Sequence, residues 1–435
     1  MDASHSIGPI SERPITFNQD ILPILQKRCQ SCHRPGEVAP MSLLNYAEAR
    51  PWAKAIKAAV ATLTMPPWFA DPNYGHFLND PRLSSSEIAK IVSWAEHGAP
   101  EGKRRNIPPP LVFQNGWNIK PDIVVQLPNP IALPATGQIN YKWVLVRTSF
   151  PENMWIEAAE VRPENARVLH HAKVWVRPPA SHWMERAIPG EVYEDETPSA
   201  TIGRNRLSEG NDVLGKFNPG LGAQRFDMES AAKFVPKGSD LVFELHYTPI
   251  GQPATDSPKL GLVLAKHPPT KRYLFSMGPA AYNLDIPPKE PNFEVVSEAT
   301  VGADIKIAQV QPHMHLRGKD YELRVIYPNG ESQTVFKGKF DFTWQLGYDF
   351  VQPLALPRGT RIVGISHFDN SANNKFNPDP SKQVRWGAQN WNEMSNGFLG
   401  LIVDVGTNPE TVLRPSGPSR PPLGLWWLLL GRHQR

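Results

Sequence analysis

Cysteine is nearly missing from this chain. It occurs twice in 435 residues, as Cys29 and Cys32 in the stretch "RCQSCHRPG". A disulfide elsewhere is excluded, and so is a zinc site built on two cysteine pairs. A strong charge of one sign is also lacking. The net charge is +4, and no basic helix, zinc-finger spacing or aromatic RNA motif accompanies it, so nucleic acid is not an expected partner. Long hydrophobic runs are lacking too. The apolar run in "PPLGLWWLLLGRHQR" falls far short of the ~20 residues a spanning helix needs, so no stable membrane span is expected. Residues 412–435 are read as a disordered tail, with a weak membrane-surface anchor as the alternative. The opening "MDASHSIGPISERP" has no charged segment followed by an apolar one, and the expectation is an export leader outside this sequence.

What is abundant is proline, at 46 residues, which confines helices to a few windows. The length suggests two to four domains at ~100–200 residues each. Three windows in the first hundred residues read as helical: "FNQDILPILQKRC", "SLLNYAEARPWAKAIKAAVATLTM" with Ser42 as N-cap, and "SSSEIAKIVSWAEHG". The last carries a capping box, Ser84 with Glu87, and Gly98 where a helix-ending glycine belongs. Residues 105–138 read as a proline-rich linker. From about Tyr141 onward, short β-rich runs alternate with turn residues, among them the hairpin signal "YPNGE". The stretch is long enough for two β-sandwiches, with "NLDIPPKEPN" as the break between them.

Cys29, Cys32 and His33 form a C-x-x-C-H pattern, which suits one covalently bound haem c: two thioethers and an axial imidazole. A redox C-x-x-C is the alternative, but it would open a helix in a βαβ unit and would not need the histidine. Met65 is the expected sixth ligand and Met41 its rival; for either, core packing is the ordinary role.

The β-rich half contributes His170 and His171, adjacent in "VLHHAKVW", and His246 in "FELHYTP". Neighbours on a strand face opposite ways, so His170 and His171 reach one ion only at a strand end or bulge. His313 and His315, in "QPHMHLRGKD", share a strand face by their i, i+2 spacing. Met394 lies in "NWNEMSNGFLG". Imidazoles suit copper, zinc and iron alike, while a thioether favours copper(I). A zinc hydrolase on the same histidines is a weaker option. Trp344, Tyr348 and Asp349 are expected in a sandwich interior, and His367 at the surface or behind a site.

In order, "LHHAKVW", "LHYTP", "PHMHLRGK" and "NEMSN" resemble the copper type II, ascorbate-dependent monooxygenases, the family of dopamine β-monooxygenase and peptidylglycine α-hydroxylating monooxygenase, over about residues 140–410. The first hundred residues resemble a cytochrome c domain, as in bacterial relatives with this fusion. The resemblance implies a multidomain chain: a small all-α cytochrome c domain (1–104), then two all-β jelly-roll sandwiches (139–284 and 285–411). It implies two copper ions, one electron-storing on His170, His171 and His246, and one binding O2 on His313, His315 and Met394, the catalytic set. The implied function is a periplasmic or otherwise extracytoplasmic oxidoreductase that hydroxylates a C–H bond of a small-molecule substrate, taking electrons from ascorbate or a redox partner through the haem. The alternative is a non-catalytic electron-transfer or copper-binding protein on the same scaffold. Some positions depart from the pattern. Gln311 replaces the arginine with which peptide-amidating members bind a carboxylate, Phe398 replaces a tyrosine, and Glu244 stands where glutamine is common, while Asn396 matches. Glycine-extended peptides are therefore poor candidate substrates.

Overall fold

A computed structural model describes residues 13–113, 116–194, 212–387 and 389–415. The opening stretch 1–12 and positions 416–435 of the expected tail lie outside the described residues. The chain divides into two compact units: Met1–Trp68 with Pro81–Val112, and Phe69–Asp80 with Phe113–Arg435.

The fold expectation is corrected. Strand accounts for 38% of the structure and helix for 13%, and a small all-α cytochrome domain is not evident. The helical windows of the sequence are interrupted for local reasons. In the first, only Leu22–Arg28 is α-helical, after a π-helical turn at Phe17–Ile21. The second breaks into Tyr46–Ala49, a 3-10 turn at Arg50–Trp52 and Ala53–Ala61, because Pro51 has no N–H to give. Its N-cap is Asn45, whose side chain accepts from Glu48 N–H, and not Ser42. Ser85–Glu96 forms as the sequence predicts, with the Ser84–Glu87 capping box made in both directions and Gly98 at φ +83° just past the end. Phe17, Ile21, Leu25, Ile91 and Trp94 make the core of this unit. No helix among the described residues is long and apolar enough to cross a membrane.

The second unit is a jelly-roll-like β-sandwich assembly, and its two halves are not separate bodies. One nine-stranded sheet runs through both, in the order Ile123–Gln126, Lys259–Leu264, Met154–Arg162, Ala231–Val235, Lys271–Ala281, Ser395–Asp404, Ile305–His313 and Tyr348–Leu356, with Gln224–Arg225 beside Met154–Arg162. The join is a short parallel pairing of Lys271 and Arg272 with Ala231 and Ala232. Lys271–Ala281 therefore belongs with the second half, where it pairs with Ser395–Asp404, although it precedes the proline-rich break at 283–292. A five-stranded sheet covers each half. The first is Val192–Glu194, Lys142–Val146, Asp240–Tyr247, Leu169–Arg177 and Asp212–Phe217. The second is Ser332–Lys339, Gly318–Ile326, Arg361–Phe368, Phe293–Val301 and Leu413–Pro415.

Contact between the layers is close at glycine. A Cβ on Gly215 would meet Leu260 Cδ1 at 2.7 Å, and one on Gly397 would meet the Tyr321 hydroxyl at 2.1 Å. The "YPNGE" turn forms a hairpin between Gly318–Ile326 and Ser332–Lys339, with Gly330 at φ +89°. Leu241, Phe243, Leu245, Leu260 and Leu262 are fully buried, each stabilising by about 1.5–3 kcal/mol. Tyr348 is also core, packed against Phe77 and Phe336.

Candidate metal centres

The first histidine set is a product of strand register. His171 lies directly opposite His246 across the Leu169–Arg177 and Asp240–Tyr247 strands. The register slips one residue further on, where Tyr247 pairs with Leu169 and His170 is left out of the ladder. The sequence demanded such a bulge if both adjacent histidines were to face one point. His170, His171 and His246 each offer a ring nitrogen, all within 4.8 Å of one another. His246 Nδ1 is 3.1 Å from His171 Nε2. Asn390 Nδ2 lies 3.1 Å from His246 Nε2, so that ring edge is held by the 389–393 segment while Nδ1 faces His171.

Tyr141 completes this cluster. Its ring stacks on His246 with centroids 4.6 Å apart, and its hydroxyl is 3.1 Å from His171 Nε2. Phe342 lies against His170 from the other half at 4.9 Å. Burial pushes His170 down to about 4 and His246 down to about 3, and drives His171 below the ordinary range as well. All three are neutral ligand-ready imidazoles above those values.

The second set forms where the Ile305–His313 strand ends. His313 is its last residue and His315 lies just beyond, so the two rings stand at 85° with centroids 5.2 Å apart rather than side by side on one strand face. Met314 between them is buried. Each Nδ1 is held by an oxygen: His313 by Gln345 Oε1 at 2.8 Å, His315 by the Asn392 carbonyl at 3.3 Å. Both Nε2 atoms are thereby left as the ligating nitrogens. Gln345 has φ +44°, a conformation disfavoured for a residue with a Cβ, and its carbonyl is held by Asn218 and Gln311 side-chain amides. Burial pushes His315 down to about 4 and lowers His313.

Met394 is linked to this set through the Glu393 carboxylate. The fully buried Glu393 carboxylate accepts from the N–H groups of His315 (2.8 Å), Arg317 (2.7 Å) and Met394 (3.3 Å). Burial pushes its carboxyl up to about 8, opposed by these donors. Asn396, which faces His313 across the strand pair, donates from its side chain to Met394 Sδ at 3.6 Å.

The residues fit a soft, redox-active ion. His170 Nε2 and His315 Nε2 are buried polar atoms with no hydrogen-bond partner, one in each set. Such atoms are costly unless something fills their lone pairs. The donor types, three imidazoles in one case and two imidazoles with the Met394 thioether in the other, suit copper better than zinc. The sets lie on facing halves, and the 389–393 segment touches both, through Asn390 on His246 and Asn392 on His315.

Gln311, the departure from the arginine of peptide-amidating members, is held in a polar row. Its Oε1 accepts from Lys216 Nζ at 2.8 Å, and Gln309 Oε1 accepts from the same ammonium at 2.9 Å. Burial pushes Lys216 down to about 7. Asp349 accepts from Gln309 Nε2 at 2.5 Å, and so buttresses this row from behind. His367 lies on the outer sheet between Asp320 (2.7 Å) and Glu294 (3.4 Å), away from both sets in the strand order.

In the helical unit, the turn after Leu22–Arg28 brings the C-x-x-C-H residues together: Cys32 and His33 N–H both donate to the Cys29 carbonyl. His33 Nδ1 is 3.3 Å from the Met41 carbonyl, which leaves Nε2 to face an iron. The Met41 side chain packs against the hydrophobic core of this unit. Met65 is half-buried beyond the Ala53–Ala61 helix, its N–H on the Ala59 carbonyl. Burial pushes Cys29 up to about 12 and raises Cys32, so both thiols are protonated.

Tyr141, Gln345, Asn390, Asn392 and Glu393 escape a sequence reading. Only Glu393, adjacent to Met394 in "NEMSN", carries a local signal. No family model matches the chain, and no curated protein does. Among solved structures, it overlaps the infectious bursal disease virus VP2 subviral particle at 12% identity and a TM-score of 0.20, over 68% of this chain and 75% of the other. It overlaps Sulfolobus Turreted Icosahedral Virus at 8% identity and a TM-score of 0.14, over 64% and 61%. Overlaps this low carry no argument about function.

Proposed function

We propose that this chain is a copper-dependent monooxygenase that hydroxylates a C–H bond of a small organic substrate. The single observation that supports this reading best is the convergence of His170, His171 and His246 within 4.8 Å, opposite a second set in which His315 Nε2 is buried without a partner. The reaction consumes R–H, O2, two electrons and two protons, and yields R–OH and water. Copper, when bound, supplies one-electron chemistry and O2 activation. His170, His171 and His246 would hold the electron-storing ion, and His313, His315 and Met394 the one that meets O2.

The protein's own work is to orient and exclude. Gln345 and Asn392 fix the His313 and His315 tautomers, and Glu393 holds His315 and Met394 to one carboxylate. Burial of His171, His246, His313 and His315 keeps bulk water from the ligand nitrogens. Haem held by Cys29, Cys32 and His33 would relay electrons from ascorbate or a redox partner. An extracytoplasmic location follows from that covalent haem.

The test is a metal count per chain with a reduced-haem spectrum, followed by substrate-dependent O2 uptake across aromatic amines and small hydrophobic molecules. Two coppers per chain and an 18O-labelled alcohol from 18O2 are expected. Haem that reoxidises equally fast with and without copper removes the relay. The close burial of four histidines favours a second reading, a non-catalytic copper-binding or electron-transfer protein. Two bound coppers with no product would establish that one instead.

A further inference from the structure

Lys173 lies between the two histidine sets. It follows His171 by two residues on the same strand and therefore shares its face. Glu244 precedes His246 by two and lies directly opposite Lys173. The Lys173–Glu244 row is thus the next rung after the His171–His246 row. Lys173 Nζ is 3.6 Å from Glu244 Oε1, and Trp175 Nε1 donates to Glu244 Oε2 at 2.8 Å, which holds the carboxylate in its own sandwich. The ammonium reaches the other way. It sits 5.1 Å from the centroid of the Phe398 ring, on the second half, and that ring is 5.5 Å from the His313 ring.

The pair is consequently an oriented dipole, its negative end tied back and its positive end turned toward the second set. Its side chains are 19% and 4% exposed, so salt screens it poorly. A nearby cation favours the lower charge of a redox ion.

We infer that the Lys173–Glu244 pair biases electron flow: its ammonium end raises the reduction potential of an ion at His313, His315 and Met394 above that of an ion at His170, His171 and His246. With copper bound, this bias would favour passage of one electron from the first ion, which would be oxidised, to the second, which would be reduced; no proton or bond would be exchanged. Lys173 acts through space and through Phe398, as a tuning residue. The inference rests on the copper reading above.

The experiment is a potentiometric titration of the copper-loaded full chain, following each ion by its spectrum, in wild type, Lys173→Met, Lys173→Arg and Glu244→Gln. At the wild-type midpoint of the second ion, Lys173→Met is expected to lower its reduced-to-oxidised ratio about tenfold. Glu244→Gln keeps an acceptor for Trp175 and is expected to raise that ratio. Lys173→Arg keeps the charge and stays near wild type. A purely structural role moves Lys173→Met and Glu244→Gln in the same direction, and that result overturns the inference. So does a larger shift at the first ion. If Lys173→Met does not fold, the sign of the Glu244→Gln shift decides alone. Wild type that fails to hold two coppers overturns the metal reading and this inference with it. Two coppers with unmoved potentials overturn this inference only.

Discussion

The two histidine sets are held by different means. In the first, the rings lean on one another: His171 and His246 are 4.7 Å apart by centroid, His170 and His171 5.3 Å, and two ring nitrogens face each other directly. In the second, each ring is tied from behind by an oxygen outside the set, and a buried carboxylate joins the backbone of one ligand to that of another. Strand register and its bulge place the rings of the first. Loop residues assemble the second. The first should therefore yield to whatever charges its rings, and the second to loss of a single loop side chain.

Acid is the largest expected break, and it strikes both. A histidine buried neutral binds its proton less readily folded than unfolded, so its folded pKa lies below the unfolded value of about 6.5. Its stability contribution is complete above that value and is lost as pH falls toward the folded one. For His315, with a folded pKa of about 4, the loss across pH 6.5 to 4 is about 3 kcal/mol. His170 and His246 add to it in the same direction. Ion-free protein should lose denaturation midpoint steadily across that window, and His315→Gln should flatten the slope without abolishing it. Glu393, pushed up to about 8, gains stability over the same window and offsets part of the loss, so the test is the difference between wild type and His315→Gln: no change in that difference from about pH 6.5 to 4 is incompatible with a buried neutral His315.

Glu393→Ala comes next and separates the two sets. It strands three N–H groups, two buried and one partly buried, at about 1 kcal/mol each. The expected result is a loss of about 2–3 kcal/mol in chemical denaturation and a fall from two coppers per chain to one. The surviving ion should be the one without a sulfur ligand. Glu393→Gln retains one accepting oxygen and should lose about half as much. Equal loss from both sets would show that the strap serves the whole interface.

The same contrast explains what the sequence could reveal. The H-x-H pair and the adjacent histidines are visible because strand periodicity is two, and the paired-strand geometry that unites His171 with His246 follows from it. The capping box at Ser84 and the "YPNGE" hairpin are equally local. Gln345 and Asn392 are not visible, since each is placed by a loop whose path depends on long-range contacts. Nor is the single sheet that fuses the two sandwiches, because a two-residue parallel pairing leaves no periodic trace. The helical windows misled for a related reason: periodicity marks a buried face, but Pro51 and the irregular path from Cys29 to Asn45 decide how much helix forms. The C-x-x-C-H motif marks a chemistry without specifying the fold around it.

Tyr141→Phe is the finest probe of the first set. The hydroxyl lies 3.1 Å from His171 Nε2, the nitrogen that also faces His246 Nδ1. In ion-free protein this bond should be worth about 1 kcal/mol, while the stacked ring remains in the variant. An ion held by the three imidazoles takes the His171 lone pair, and the hydroxyl then has nothing to donate to there. The substitution should therefore lower the unfolding midpoint of ion-free protein by about 1–2 degrees, and that of copper-loaded protein by less. Equal penalties in the two states would mean that His171 Nε2 never gives up its hydroxyl partner. The first set would then not ligate through that atom, and its resemblance to the second would end at burial.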